Sequence, residues 1–345
     1  MGLKELTEFY MPEKILHRED QLNAIREVFD RFREYGTAKN ILVQGFSGAG
    51  KTACINKVLS EQNNNFVYVS GSQQITANQV LKAITDLGFT TRERLISEAI
   101  RKFRQKPTVI IIDEINKLKR QEELRWLFND LNTLYRETGC PIILITNMRD
   151  VLKIADHDAV RTLFFRIVEF KPYNAHEIQD IVKDRIELIN HKYEKKINVP
   201  EDFLPYVSAV AVNESEGSAR LALLLTQEAI LSDNFSRENL QKIIKELKEG
   251  EWEQFLLDLP KIERKFLSLL IGLAEKNRNI AVSEITKIVK DYPPQRISQI
   301  INSLESYGII KRVKSPSDKR MINLQFVSEQ TYEKLHKITE EVLPL

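Results

Sequence analysis

The stretch Gly45-Phe-Ser-Gly-Ala-Gly-Lys-Thr52 sets the reading of this chain. A loop of this spacing wraps backbone N–H groups around a polyphosphate at the N-terminus of a helix. Gly45, Gly48 and Gly50 let the main chain turn back and approach phosphate oxygens where a Cβ would collide. Phe46, Ser47 and Ala49 complete the cradle, Lys51 reaches the β and γ phosphates, and Thr52 would carry Mg²⁺. The flanks fit the motif. Asn40-Ile-Leu-Val-Gln44 is a short buried-strand pattern, and residues 53–60 carry a helical one. Strand, loop and helix in that order predict a nucleotide-binding P-loop, with ATP or ADP and Mg²⁺ as its ligands.

Outward from the loop, the pattern alternates. Apolar residues at Leu22, Ile25, Val28, Phe29 and Phe32 recur at helical spacing ahead of the first strand. Strand patterns follow at 66–70, 109–113 and 141–146, separated by helical stretches at 76–86, 92–103 and 122–138. Such alternation predicts a parallel sheet with crossover helices, a three-layer α/β domain over residues 1–172. From Ala175 the β patterns vanish and helical ones run through 176–191, 201–212, 218–231 and 237–250, an all-helical lid over residues 173–250. Residues 251–345 read as three helices (260–276, 282–291 and 295–307), with a turn at Pro293-Pro294. Two strands then follow, at 309–313 and 321–327, around the polar tip Lys314–Arg320. Three helices and a hairpin predict a winged helix-turn-helix.

The strand Val109-Ile-Ile-Ile112 ends in Asp113-Glu114, as a Walker B element requires. Asp113 would hold Mg²⁺ through water, and Glu114 would act as base or orient the attacking water. The next strand ends at Thr146-Asn147, which places Asn147 between the two Walker elements as a sensor of the γ-phosphate. Phosphoryl transfer also needs positive charge at that phosphate. Arg220, in Gly217-Ser-Ala-Arg220, opens a lid helix and would lean over the nucleotide as a second sensor. Arg161 would project from the domain edge into a neighbour's site as an arginine finger, with Arg166 as the alternative.

Composition bounds the rest. The chain has 345 residues, too many for one core of ordinary size, with 29% charged and 42% hydrophobic residues and a net charge of +2, the profile of a folded globular protein. Residues 256–345 hold 15 Lys/Arg against 11 Asp/Glu, or +4, leaving −2 on the remainder and favouring an acidic partner for the C-terminal part. Cys54 and Cys140 are the only cysteines, no signal-peptide pattern opens the chain, and no apolar run reaches the roughly 18 residues of a membrane span. A cytoplasmic location without membrane contact is expected. In a winged helix the second helix of the turn lies in the major groove and the wing follows the backbone. Gln295, Arg296, Ser298, Gln299 and Asn302 would face DNA, with Ile297, Ile300, Ile301 and Leu304 turned inward, while Lys311, Arg312, Lys314, Lys319 and Arg320 charge the hairpin.

Together these residues resemble the AAA+ superfamily, and within it the archaeal replication initiators related to the eukaryotic origin recognition complex and cell-division-cycle loader proteins. Pro12-Glu-Lys-Ile-Leu-His-Arg-Glu19 is similar to the family's N-terminal box, which covers the adenine, so the resemblance places Ile15 and Leu16 at the base. Ile111–Leu118 resembles its Walker B extension, Ile143–Asn147 its first sensor, Gly217–Arg220 its second, and Phe170-Lys-Pro-Tyr173 its approach to the lid, which adds Tyr173 to the nucleotide site. Residues 76–89 fall where the family carries an initiator-specific helical insertion. Three features depart from the pattern, the first being that the segment around Arg161 is less similar than the other boxes. Ser218 stands where Asp is usual, and the wing Ser317-Asp-Lys-Arg320 is similar to that of a transcription-regulator family. The resemblance implies an origin-binding ATPase that uses slow hydrolysis as a switch, binds double-stranded DNA, self-associates and helps recruit a replicative helicase. The alternatives are an ATP-dependent transcription regulator and a target-selecting ATPase of a mobile element.

Overall fold

The computed structural model describes residues 3–342 apart from 8–9, 63–64, 72–75, 89, 119, 149–150, 164, 194–196, 260, 290–292 and 315–320. Two compact units are present, residues 1–236 and 237–345.

The first unit opens with α1 (Glu19–Tyr35), whose apolar stripe packs into the core and which ends on left-handed Gly36. Next come β1 (Ile41–Gly45), α2 (Lys51–Glu61), β2 (Phe66–Ser70), α3 (Ala77–Thr85), α4 (Arg92–Gln105) and β3 (Val109–Asp113). α5 (Gln121–Thr138), β4 (Ile142–Thr146), α6 (His157–Leu163) and β5 (Arg166–Phe170) complete the sheet. All pairs are parallel, in the order β2-β3-β4-β1-β5. β3 and β4 are buried along their whole length, because helices cover both faces of a parallel sheet and leave no polar side. Asn40, buried just before β1, ties three strands together. Its Nδ2 donates to Leu163 O at 2.7 Å, its Oδ1 accepts from Ile142 N at 2.8 Å, and its carbonyl accepts from Arg166 N at 2.9 Å.

The order β3-β4-β1 decides where chemistry can occur. It sets the C-terminal ends of these three strands side by side, so Asp113, Thr146-Asn147 and the loop after β1 converge although they are far apart in sequence. Ligands of open α/β sheets bind at that edge. Over it stand the lid helices α7 (Ala175–Tyr193), α8 (Phe203–Ser215) and α9 (Ala219–Leu231), whose apolar cluster also takes in Leu3 and Leu6 from the start of the chain.

The second unit comprises α10 (Arg237–Asp258), α11 (Lys261–Lys276), β6 (Ile280–Ala281), α12 (Val282–Ile288), α13 (Pro294–Ser306), β7 (Ile310–Lys314), β8 (Ile322–Phe326) and α14 (Glu329–Val342). Its antiparallel sheet runs β6-β8-β7, the arrangement expected of a winged helix.

Two differences from the sequence reading have physical causes. The boundary expected after residue 250 falls inside α10. One glycine in a helix costs only about 1 kcal/mol, and Leu256 and Leu259 anchor the far end in the second core. β5 was not read as a strand because only Val168 and Phe170 are buried on it, while Ile167 faces solvent. The closing helix α14 also went unread. Among the described residues, no helix is long and apolar enough to cross a membrane.

Candidate functional site

The cleft at the sheet edge is built in the first unit from the P-loop, the ends of β3 and β4, the N-terminal segment and the lid. Gly50 has φ +89° and Gly48 φ +75°, conformations that L side chains rarely adopt, and α2 begins directly behind them. The loop also needs bare glycine on sterics: a Cβ at Gly45 would meet Phe170 O at 2.3 Å, and one at Gly48 would meet Ser218 Oγ at 1.9 Å. The second of these contacts brings the P-loop against the lid.

Lys51 donates from Nζ to Gly45 O at 2.8 Å and Phe46 O at 2.7 Å. Burial lowers its pKa from the ordinary lysine value, opposed by the charges of Asp113 and Glu114 and reinforced by that of Arg220. Thr52 Oγ1 donates to Asp113 Oδ2 at 3.0 Å, so the two expected cation ligands meet. Glu114 follows in a left-handed conformation, φ 54°, and its N–H donates to Asp113 Oδ1 at 2.7 Å. That φ is strained for a non-glycine residue and turns the chain sharply at the end of β3. Asn147 lines the cleft at the end of β4, and its backbone N–H donates to Asn116 Oδ1 at 3.4 Å. Ile15, Leu16 and Tyr173 also line the cleft, as does Arg220 from the first turn of α9. Ser47, Gly48, Gly50, Lys51 and Thr52 all face the same space.

Several residues at the site escaped the sequence reading. Arg18, buried, donates from Nε to Ala49 O at 3.0 Å and from Nη2 to Lys171 O at 2.8 Å. It therefore pins the P-loop to the chain leaving β5. Its place within the box 12–19 was the available signal. Tyr68 donates to Asp113 Oδ2 at 2.8 Å, and burial, with the Asp113 charge, pushes its pKa up. Arg185 of α7 is buried, lies 5.0 Å from the Tyr10 ring centroid and lines the cleft with it. Burial lowers its pKa from the usual arginine value. Glu5 is also buried, and its Oε1 accepts from Lys192 Nζ and Tyr193 OH, each at 3.0 Å. Leu3, Glu5 and Leu6 thus strap the N-terminal segment to the lid.

A family model described as an AAA domain matches residues 33–153, the span from the end of α1 past β4. The ORC1-type DNA replication protein 1 of Sulfurisphaera tokodaii is 28% identical over 335 residues, covering 87% of this chain and 83% of that relative. Residues 33–153 thus match an AAA domain, and most of the chain is similar to the ORC1-type DNA replication proteins. In fold it is similar to the Aeropyrum pernix ORC1 protein solved in complex with DNA, with a TM-score of 0.77 at 22% identity over 99% of this chain and 96% of that one. Cdc6p from Pyrobaculum aerophilum gives a TM-score of 0.60 at 16% identity, over 99% of this chain and 98% of that one.

In the first unit, Arg161 is exposed on α6 and does not line the cleft. Arg166, at the start of the edge strand β5, donates from Nη1 to Glu27 Oε2 at 2.7 Å. In the second unit, α13 divides as the sequence predicts. Ile297, Ile300, Ile301 and Leu304 are buried, while Gln295, Arg296, Ser298, Gln299 and Asn302 are exposed. Lys311, Arg312 and Lys314 are exposed on β7. Arg312 is held by Glu305 and Asn302, and Arg296 Nη1 donates to Gln299 Oε1 at 3.0 Å. Lys319 and Arg320 lie outside the described residues, as do Ser317 of the wing and Phe89 at the end of the expected insertion, whose place is otherwise taken by α3.

Proposed function

We propose that this chain is an ATP-binding initiator of DNA replication that recognises an origin and uses slow ATP hydrolysis as a switch. The observation that carries the reading is the meeting of Thr52 and Asp113 at 3.0 Å beside Lys51, under a helical lid, in a chain whose relatives are ORC1-type replication proteins.

Backbone N–H groups of residues 46–51 and the N-terminus of α2 cradle the phosphates, and Lys51 neutralises the β and γ oxygens. A hydroxyl and a carboxylate suit Mg²⁺, which bound there would draw charge from the γ-phosphate. Among the described residues no group of three His, Cys, Asp or Glu could hold a metal, in keeping with a cation shared between few protein ligands and phosphate oxygens. Glu114 orients the lytic water and takes its proton, Asn147 positions that water or the γ-phosphate, and Arg220 holds the lid against the nucleotide. Ile15, Leu16 and Tyr173 enclose the base. Arg161, exposed on α6, enters the site of a neighbouring copy as the finger, which makes hydrolysis depend on self-association.

The second unit supplies DNA contact. The polar face of α13 enters the major groove and the lysines of β7 meet phosphates. The fold relative from Aeropyrum pernix was solved with DNA, which supports this reading. Bound ATP favours one arrangement of the protein on the origin and hydrolysis releases it, and the ATP form recruits the replicative helicase.

The test is capture of the source genome's fragments on the full chain with ATP and on Lys51→Ala. Enrichment at clustered repeats beside a replication start is the expected result. Scattered promoters would instead indicate a transcription regulator, and uniform recovery a sequence-indifferent ATPase. Lys51→Ala should lose ATP binding with an unchanged melting temperature, and unaltered ATP affinity would refute the assigned site.

A further inference from the structure

We propose that Tyr68 is a positioning residue for the divalent cation, acting by fixing the carboxylate of Asp113 from the neighbouring strand. This inference rests on the assignment of Thr52 and Asp113 as the cation's protein ligands.

β2 and β3 pair in parallel, with Ser70 opposite Asp113 and Tyr68 opposite Ile111. Side chains two apart on a strand share a face, so Tyr68 stands one step behind Ser70 and its long ring reaches forward to the end of β3. The hydroxyl arrives 2.8 Å from Asp113 Oδ2, and Thr52 Oγ1 meets the same oxygen at 3.0 Å. On the other oxygen, Oδ1 accepts the Glu114 N–H at 2.7 Å. An ionised carboxylate offers about four lone-pair sites and no donor. Three of them are engaged by donors from three different elements: α2, β2 and the turn after β3.

The consequence is rotational. With the Glu114 N–H alone the carboxylate could swing about its last torsion, which is broad and weakly restrained. Thr52 is itself an expected ligand, and its hydroxyl is recruited by the cation. Tyr68 is the donor on Oδ2 that binds neither phosphate nor cation, so it keeps Asp113 oriented in every state of the cleft. Such partners behind a metal ligand set its direction, and their loss typically costs about 10- to 100-fold in metal affinity. Phenylalanine would fill the same volume without the hydroxyl, so Tyr68→Phe isolates the hydrogen bond.

The experiment uses thermodynamic linkage in the full chain, with ADP and Mg²⁺ as the probes. ADP dissociation constants are measured in EDTA and at one fixed Mg²⁺ concentration, for the parent, Tyr68→Phe and Asp113→Ala. The ratio of the two constants reports how strongly the site couples cation to nucleotide, and the affinity of ADP itself for Mg²⁺ is common to all three proteins. For Tyr68→Phe, affinity in EDTA should stay within about twofold of the parent while the ratio falls about tenfold. An unchanged ratio would overturn the proposal, leaving Tyr68 as packing. So would an equal loss with and without Mg²⁺, which would make it a residue that shapes the whole cleft. Asp113→Ala separates the two levels: if its ratio falls while that of Tyr68→Phe does not, only the Tyr68 inference fails. If the Asp113→Ala ratio also stays at the parent value, the cation site itself is misassigned.

Discussion

The guanidinium of Arg18 lies 3.6 Å from the centroid of the Tyr173 ring, joining the residue before α1 to the segment that leads into the lid. The same side chain donates to the carbonyls of His17, Ala49 and Lys171. One buried arginine therefore holds the P-loop, the exit of β5 and the ring that borders the nucleotide cleft. Arg18→Ala would leave these carbonyls short of donors and Tyr173 without its cation. A loss of about 2–4 kcal/mol is expected, seen as a lower first transition in a thermal melt and at least tenfold weaker ATP binding. Arg18→Lys should recover little, because a point charge cannot serve three carbonyls and a ring at once. Full recovery by lysine would show that charge alone matters there.

Gly48 and Ser218 give a second, steric test of the same junction. A methyl at Gly48 would sit 1.9 Å from Ser218 Oγ, and the backbone φ of +75° is strained for alanine in any case. Gly48→Ala should push the lid off the P-loop and raise the ATP dissociation constant by more than about tenfold, for strain and clash together of some 1–3 kcal/mol. Adding Ser218→Gly removes both the hydroxyl and the Cβ, and should restore part of the affinity in a double-mutant cycle. If the double variant binds no better than Gly48→Ala, the strain lies in the loop alone.

Much of this was legible because the informative residues lie close together in sequence. Gly45–Thr52 carries its own geometry, and the buried runs Val109–Ile112 and Ile142–Ile145 could only be central strands of a covered sheet. What lay hidden was pairing across distance. Nothing in Phe66-Val-Tyr-Val-Ser70 says that its tyrosine will reach Asp113, since that follows from the β2-β3 register. Arg18 and Ala49 are 31 positions apart and meet only once α1 and the P-loop have packed. β5 hid for a different reason: an edge strand with two buried side chains lacks the apolar run that marks the inner strands. α10 hid its true length because Gly250 resembles a stop signal, whereas the burial of Leu256 and Leu259 carries the helix on.

Away from the cleft, Asp130 of α5 is buried at 4% exposure and is bound by Arg92 Nε at 3.0 Å. Burial pushes its carboxyl up to about 6 from the ordinary aspartate value of 3.8, with the Arg92 hydrogen bond and charge opposing the shift. A raised carboxyl pKa means that the folded state holds the proton more tightly than the unfolded chain does. Its contribution to stability therefore grows as pH falls from about 6 towards 3.8 and is flat above that window. Asp130→Asn removes the titration. The stability difference between parent and variant should shift in favour of the parent by roughly 1.4 kcal/mol per unit within the window, and stay constant from pH 7 to 8. Denaturant melts at half-unit steps would show this, and a difference independent of pH would mean that Arg92 keeps Asp130 ionised throughout.

On the second unit, the exposed cations are not equivalent. Arg312 is held by Glu305 and Asn302, so its charge is partly spent within the fold and the Asn302 amide oxygen is already engaged. Lys311 and Lys314 flank Arg312 and Val313 on β7, on opposite faces of the strand, and both are exposed. A lysine that meets phosphate contributes to counterion release, whereas an arginine neutralised by a carboxylate contributes little. The double variant Lys311→Ala/Lys314→Ala should weaken binding to every duplex alike and reduce the slope of log affinity against log salt by about 2. Arg312→Ala should change that slope by less than about one half and instead lower the melting temperature of the unit, because Glu305 loses its partner. Fluorescence anisotropy on a specific and a scrambled duplex across a salt series separates the two effects. A salt slope that falls with Arg312→Ala and stays fixed in the double lysine variant would move the DNA-facing charge from the strand's lysines to the arginine at its centre.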